Sequence, residues 1–213
     1  MVLRWNNIEL HAQFSIISVH VYEPLMRCDP SLIVEKDDGV YPPSEDSFLL
    51  IGSFDIRAGE RVLEIGCGSG IVSMHCAANG GIVTCGDINK KAVALTRKNM
   101  ALNSLNADVV ETDVYSNVKG RFDTILFNLP YLPVKEEGDL ALAWSGGEDG
   151  LGPLPRLLSG ASEHLLPNGR VIVVVSSLMD QDALRSALNG YSVRTLSVLP
   201  LFFEELSVLE ISL

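Results

Sequence analysis

Apolar and polar residues follow two different patterns along the chain. Short apolar runs predict strands, and the five β-branched residues at 171–175 (VIVVV) are typical of a strand buried on both faces of a parallel sheet. Ser44, followed by acidic Glu45 and Asp46, is typical of a capped helix start. The predicted strands are residues 62–65, 82–86, 107–110, 122–127, 171–175, 191–199 and 206–211. The predicted helices are residues 45–51, 71–78, 89–102, 154–166 and 180–188.

From residue 44 onwards these strands and helices alternate, which predicts a doubly wound α/β sheet of mostly parallel strands. The last two strands are joined by residues 200–205 alone, which are too few for a parallel crossover. We therefore expect them to form an antiparallel hairpin. Residues 1–39 are predicted to be an N-terminal extension of a domain at 40–213, and residues 14–22 have the composition of a strand.

A glycine-rich loop follows the first predicted strand of the sheet. Its spacing, Gly66-x-Gly68-x-Gly70, differs from the G-x-G-x-x-G of pyrophosphate-binding loops. Glycines at such a turn let the backbone approach a ligand closely and leave amide groups free to bind it.

Three acidic residues lie at the ends of successive predicted strands. Glu64 can face a cationic amino-acid group, Asp87 is placed to bind a ribose diol, and Asp113 follows the third strand. Adenosine with an amino-acid tail suits this set better than an anionic pyrophosphate does.

Composition and charge narrow the classes of function. Apolar residues make up 47% of the chain, but no run approaches the roughly 20 apolar residues that a membrane span needs. The N-terminus lacks the apolar run of a signal peptide, so we expect a cytoplasmic protein. The net charge of −11 argues against strong nucleic-acid binding.

Local charge and potential metal ligands add two further expectations. A basic cluster (Lys90, Lys91, Arg97 and Lys98) is interpreted as a solvated helix face, with a docking patch for an acidic partner as the alternative. The cysteines and histidines have no metal-site spacing, so no metal is expected.

The tetrapeptide Asn128-Leu129-Pro130-Tyr131 follows the fourth strand. An amide or aryl amine is a poor nucleophile because its lone pair is delocalised. The side-chain oxygen of Asn128 and the carbonyl of Leu129 can each accept a hydrogen bond from such an NH₂ group and fix its nitrogen. Tyr131 can stack on a planar target, and Pro130 stiffens the turn. These four residues are the candidate catalytic set.

This tetrapeptide resembles the (N/D)PPY signature of methyltransferases that act on amide or exocyclic amino nitrogens. Two more segments, 40–50 (VYPPSEDSFLL) and 143–151 (AWSGGEDGL), resemble those of the short HemK-like proteins of archaea and eukaryotes. The resemblance runs from residue 40 to the C-terminus. It implies a Rossmann-like class I methyltransferase with a seven-stranded sheet and an antiparallel C-terminal strand.

The resemblance also implies a reaction, a cofactor and partners. The reaction is N5-methylation of the glutamine in the GGQ loop of a translation termination (release) factor. The cofactor is S-adenosylmethionine. A small zinc-binding activator subunit is the implied partner. The candidate cofactor-binding residues are Tyr41, Ser47, Glu64, Gly66, Gly68, Gly70, Asp87, Ile88, Asp113, Val114 and Asn128.

The chain departs from the family pattern at Leu129, where the signature has a proline. The same Asn-Leu-Pro-Tyr spelling resembles that of ribosomal-RNA adenine dimethylases, so adenine in RNA or DNA stays an alternative target, as does protein lysine. A non-catalytic methyltransferase-like scaffold is disfavoured because Glu64, Asp87 and Asn128 are all present. A nicotinamide-dependent oxidoreductase is disfavoured by the glycine spacing.

Overall fold

One seven-stranded sheet forms the centre of the molecule. The computed structural model describes residues 26, 28–136, 138 and 140–213, so the strand predicted at 14–22 lies outside the described residues. The strands are β1 (Arg61–Ile65), β2 (Ile82–Asp87), β3 (Ala107–Glu111), β4 (Phe122–Asn128), β5 (Leu165–Ser176), β6 (Ser192–Pro200) and β7 (Glu205–Ser212). The helices are α1 (Glu45–Ile51), α2 (Ile71–Ala78), α3 (Lys90–Leu102), α4 (Leu154–His164) and α5 (Gln181–Ala187), and a 3-10 turn covers Ala141–Ala143.

The strand order is β3-β2-β1-β4-β5-β7-β6. Strands β1 to β5 run parallel to one another, whereas β7 runs antiparallel to both β5 and β6. The doubly wound sheet and its C-terminal antiparallel hairpin are therefore confirmed. The chain reverses its direction across the sheet between β1 and β4, and in such sheets ligands bind outside the carboxyl ends of the strands at this switch point.

Two hydrophobic clusters cover the two faces of the sheet. Because side chains of a strand alternate between faces, Ile172 and Val174 join one cluster while Val171, Val173 and Val175 join the other. All five are buried, as the unbroken β-branched run predicts for a strand covered on both sides.

The boundary between α4 and β5 differs from the prediction of a helix over 154–166. Helix α4 ends at His164, and Leu165 already pairs with Phe122 of β4. Pro167 explains the early end, since a proline disfavours helical backbone at the residue before it. Residues 167–169 (PNG) lie inside β5, where its pairing with β4 is irregular, and Asn168 has a φ of 63°.

The N-cap of α1 lies at the predicted residue, but that residue does not make the expected capping hydrogen bond. Ser44 is the N-cap residue, but its side chain accepts no backbone hydrogen bond and its hydroxyl instead donates to the Glu45 carboxylate. Glu45 and Asp46 lie in the first turn, where acidic side chains interact favourably with the positive end of the helix dipole.

Asn99 of α3 and Asn103, which caps the C-terminal end of this helix, hold the segment that precedes α1. Asn99 accepts from the Glu35 amide at 2.9 Å and donates to the Glu35 carbonyl at 3.2 Å. One turn later, Asn103 makes the same pair of bonds with Ile33, both at 2.8 Å. The side-chain amides thus pair with this extended segment as a neighbouring strand would, and attach it to the sheet domain.

The basic cluster on α3 makes mostly local contacts. Lys90 lies 3.7 Å from the Glu111 carboxylate, Lys98 forms an ion pair with Glu35, and Arg97 donates to the Val109 carbonyl. These contacts support the solvated helix face rather than a docking patch. Among the described residues, no helix is long and apolar enough to cross a membrane.

Candidate functional site

A cavity of about 310 Å³ opens at the carboxyl edge of the sheet, over the ends of β1, β2, β3 and β4. Eleven of the predicted site residues line it: Tyr41, Ser47, Glu64, Gly66, Gly68, Asp87, Ile88, Asp113, Val114, Asn128 and Pro130. Three others, Gly70, Leu129 and Tyr131, lie outside its wall.

The glycine loop forms the floor of the cavity. Gly66 has a φ of 68°, and a Cβ there would approach the Phe127 ring to 2.7 Å, so only glycine fits. Gly70, which is also predicted to bind the cofactor, lies outside the cavity wall. It caps α2 at a φ of 81°, and a Cβ would come within 2.8 Å of the Thr96 methyl group.

Glu64 is a buried acid at the end of β1. Its side chain accepts hydrogen bonds from the Ser73 amide at 2.9 Å and from the Ser73 hydroxyl. Burial raises its pKa from 4.5 to about 8, and the two bonds from Ser73 oppose that rise. A carboxyl in this state gains from a cationic group in the cavity, because a neighbouring positive charge favours ionisation.

Asp87 connects the end of β2 to the glycine loop. One carboxylate oxygen accepts from the Gly68 amide at 2.9 Å, and the other accepts from the Asn89 amide at 2.8 Å. Burial raises its pKa, and these backbone bonds oppose the rise. Each oxygen keeps a further lone pair, so the carboxylate can still accept from a ligand diol.

Asp113 and Arg156 meet across the far side of the cavity. Two parallel hydrogen bonds of 2.8 and 2.9 Å join the guanidinium to the carboxylate, and this geometry fixes both side chains. Val114, which follows Asp113, is buried at a φ of 52° and presents its side chain to the cavity.

Asn128 ends β4 beside these acids. Its side-chain oxygen is buried and has no hydrogen-bond partner among the described residues. A buried acceptor left unpaired costs about 1–3 kcal/mol, and groups of this kind occur at functional sites. The oxygen is therefore free to accept a donor from a bound molecule.

The segment 143–151 shapes the backbone around the tetrapeptide. Leu132 donates to the Trp144 carbonyl at 2.9 Å, and Gly146 donates to the Leu132 carbonyl at 2.8 Å. A Cβ at Gly146 would lie 2.5 Å from the Pro130 carbonyl oxygen, so the two segments touch backbone to backbone. Leu129 is 1% exposed and anchors the turn in the core in place of a proline.

Tyr131 points towards α1 instead of lining the cavity. Its hydroxyl lies 3.5 Å from an Asp46 carboxylate oxygen. Burial raises its pKa, and the charges of Asp46 and Glu204 raise it further. The phenol therefore stays protonated at neutral pH and can donate a hydrogen bond but cannot act as a base.

Sequence reasoning missed several wall residues. The sequence predicts Phe127 only as a strand residue, although its ring covers Gly66. Arg156 lies 43 positions from its partner Asp113, so spacing carries no signal for their pairing. Leu140 and Leu142, two exposed apolar residues of the loop after the tetrapeptide, also line the cavity.

The cavity wall suits S-adenosylmethionine better than a metal ion. Buried Glu64 matches an ammonium group, Asp87 matches a ribose diol, and the glycine loop leaves room for close backbone approach. In the part of the chain that the structure describes, no three histidine, cysteine, aspartate or glutamate side chains are grouped to hold a metal.

Comparison with known proteins shows the family of this chain. The family model described as "Methyltransferase small domain" matches residues 32–196. A candidate protein N5-glutamine methyltransferase of Methanocaldococcus jannaschii (MJ0928) is 39% identical over 177 residues, which cover 80% of this chain and 90% of that protein. Methyltransferase HEMK2 of Mus musculus is 35% identical over 151 residues, covering 63% of this chain and 71% of its own length.

A solved structure shares the fold. It is the Mtq2–Trm112 complex of E. cuniculi, described as methylating the termination factor eRF1. It aligns with a TM-score of 0.64 at 19% identity, covering 81% of this chain and 98% of the matched chain.

Proposed function

The chain belongs to the methyltransferase small domain family as a HemK-like class I enzyme that uses S-adenosylmethionine, and from this premise we propose that it methylates a glutamine side-chain nitrogen. The proposed acceptor is the glutamine of the GGQ loop in a translation termination factor. Its support is the 39% identical relative named as an N5-glutamine methyltransferase and the structural neighbour described as methylating eRF1.

The observation that carries this proposal is the unpaired, buried side-chain oxygen of Asn128. A glutamine NH₂ has two hydrogens to donate, one to Asn128 and one to the Leu129 carbonyl. Both bonds together would hold the nitrogen in a single orientation, which is the geometric requirement for in-line transfer to a poor nucleophile. Tyr131, whose hydroxyl is directed at Asp46, would contribute its ring face, and its raised pKa makes it unsuitable as a base.

The residues on the other side of the cavity would hold the cofactor. S-adenosylmethionine supplies an electrophilic methyl group on a sulfonium. Glu64 would bind the ammonium group of its amino-acid tail, and Asp87 would bind the ribose hydroxyls. Asp113, held by Arg156, would bind the adenine edge. Of the other candidate residues, Tyr41, Ser47, Gly66, Gly68, Ile88 and Val114 would complete this wall.

Proton balance follows from the same geometry. The glutamine nitrogen gains a methyl group and loses one of its two protons, while its second proton stays on the methylated amide. Before that proton leaves, the methylated nitrogen would carry a positive charge, and a cationic amide of this kind is strongly acidic. Water can therefore take the proton and no buried base is needed, while the sulfonium sulfur becomes a neutral thioether.

The proposed partners follow from the neighbour's composition. The structure of the eRF1 methyltransferase is described as a complex with a second protein, Trm112. We propose that this chain, too, works with a small zinc-binding subunit, and in the cytoplasm, where termination factors act.

A labelling experiment tests the glutamine target. The chain, alone and with its candidate partner subunit, is incubated with methyl-labelled S-adenosylmethionine and a termination factor carrying either GGQ or GGA. Label on GGQ and none on GGA is the expected result. Cofactor binding without label on either factor would contradict the proposal and favour an adenine or lysine acceptor, which the same assay can test with RNA and histone substrates.

A further inference from the structure

The turn between β6 and β7 exposes two phenylalanine rings. Phe202 is 91% exposed and Phe203 is 85% exposed, and the two rings meet edge to face with centroids 4.5 Å apart. Leu201 in the same turn and Leu178 after β5 are also exposed. Adjacent exposed aromatic residues are unusual on a surface and are typical of sites that bind another molecule.

Hydrogen bonds hold this turn in place. Leu201 donates to the Glu204 carbonyl at 2.7 Å and closes the turn, while the Ser176 hydroxyl donates to the Glu204 carboxylate at 2.6 Å. The Ser177 amide also donates to the Glu205 carbonyl at 2.9 Å. The turn is thus attached to the carboxyl end of β5, and the rings are displayed on a fixed support.

The turn lies on the acceptor side of the catalytic residues. The cavity lies over the carboxyl ends of β1 to β4, and Asn128, at the end of β4, lines it on the side nearest β5. Strand β5 is next in the sheet, followed by β7 and β6, whose turn lies at the same edge. Asn128 pairs with Val174 and Val174 pairs with Val208, so the turn lies two to three strands to the side and at least three residues further along the strands. With strands about 4.8 Å apart, the two displacements combine to roughly 15–18 Å, which an extended peptide spans in about five residues.

Negative charge surrounds the path between Asn128 and the turn. The negative charges of Glu204 in the turn and Asp46 on α1 raise the pKa of Tyr131. Those of Glu45 and Glu204 raise the pKa of Tyr41. A peptide that follows this path meets carboxylates beside apolar rings, so a basic residue next to a bulky apolar one complements it.

We propose that Phe202 and Phe203 form the docking surface for the protein that carries the acceptor glutamine. The surface binds a bulky apolar residue about five positions from the acceptor, with a basic residue adjacent to it. This inference rests on the proposed function, because the occupant is the substrate of that reaction.

The test compares two variants of the full chain. F202S/F203S removes the rings from the turn, and Val193→Ser changes an exposed apolar residue at the opposite end of the same hairpin. Methyl transfer to the GGQ factor is measured as KM and kcat, and S-adenosylmethionine binding is measured by calorimetry. We expect F202S/F203S to raise KM for the factor about tenfold with kcat and cofactor affinity within twofold, and Val193→Ser to resemble the unmodified protein.

A second arm locates the contact on the substrate. Serine replaces the apolar residue about five positions from the acceptor glutamine, and each substrate is combined with each enzyme. If the two surfaces touch, the combined KM increase is smaller than the product of the separate increases, because the contact is lost only once.

Three results would overturn the inference. Unchanged KM in F202S/F203S would show that the rings do not touch the substrate. Dissociation of a dimer by that variant at unchanged KM would assign the rings to self-association. Absence of transfer to GGQ by the unmodified chain would remove the proposed function and this surface together, a result distinct from the other two.

Discussion

At the scale of single residues, the cavity wall includes acidic side chains that are buried from water. Glu64 is the extreme case, since it is 2% exposed and its pKa is raised to about 8. A group of this kind acts on stability as well as on ligand binding, because its proton uptake differs between the folded and unfolded chain. Glu64 was predicted from its place before the glycine loop, whereas its protonation depends on burial by residues distant in sequence.

The variant Glu64→Gln tests this protonation. Between about pH 4.5 and 8 the folded chain keeps a proton on Glu64 that the unfolded chain has released. The free energy of unfolding therefore decreases with rising pH in this window, by roughly 1 kcal/mol per pH unit for this group. Glutamine does not titrate, so we expect a flatter profile for the variant in urea unfolding at several pH values. Parallel profiles would contradict the assignment.

The variant Asp87→Ala tests the predicted ribose site. Loss of charge-assisted hydrogen bonds should weaken S-adenosylmethionine binding about tenfold or more in calorimetry. Asp108→Ala removes an equal charge from an exposed position on β3 and should leave affinity within twofold. If both variants bind equally well, the ribose site has been misplaced.

At the scale of elements, α3 links the segment before α1 to the glycine loop. Asn99 is fully buried, and besides its two bonds to Glu35 it donates to the Ser69 carbonyl at 2.8 Å. Ser69 lines the cavity, so this one side chain supports both the loop and the segment at 33–35. This contact could not be predicted from the sequence, because the bonded residues are 30 and 64 positions apart.

Removing this link should loosen the domain. We expect Asn99→Ala to lower the free energy of unfolding by about 1–3 kcal/mol, because backbone groups lose buried partners. Asn106→Ala, at an exposed position after α3, should change it by less than about 0.5 kcal/mol. Denaturant unfolding measures both, and similar values for the two variants would show that Asn99 is not a structural link.

The elements themselves were largely predictable, for reasons visible at particular residues. The run 171–175 predicted a strand buried on both faces, and Val171 and Ile172 do lie on opposite faces. The short link at 200–205 predicted the antiparallel hairpin. Helix α4 ends two residues earlier than predicted, because apolar Leu165 suits a helix face and a strand equally well.

At the scale of the whole molecule, the strand order brings residues that are distant in sequence together at one site. Parallel strands place Glu64, Asp87 and Asn128 at one edge, which is why the strand-end acids could be predicted from the sequence. Side-chain partners could not be, since the Arg156–Asp113 pair and the Tyr131–Asp46 contact depend on how loops and helices cross that edge.

The proposed function requires that Asn128 orients the acceptor nitrogen and contributes little to cofactor binding. The most direct measurement compares Asn128→Ala with Asn106→Ala in two assays, S-adenosylmethionine calorimetry and methyl transfer to the GGQ factor. We expect Asn128→Ala to bind the cofactor within about threefold of the unmodified chain while turnover falls at least about a hundredfold, as expected when a reacting atom loses its alignment. An equal loss in both assays, or turnover that survives, would contradict the claim.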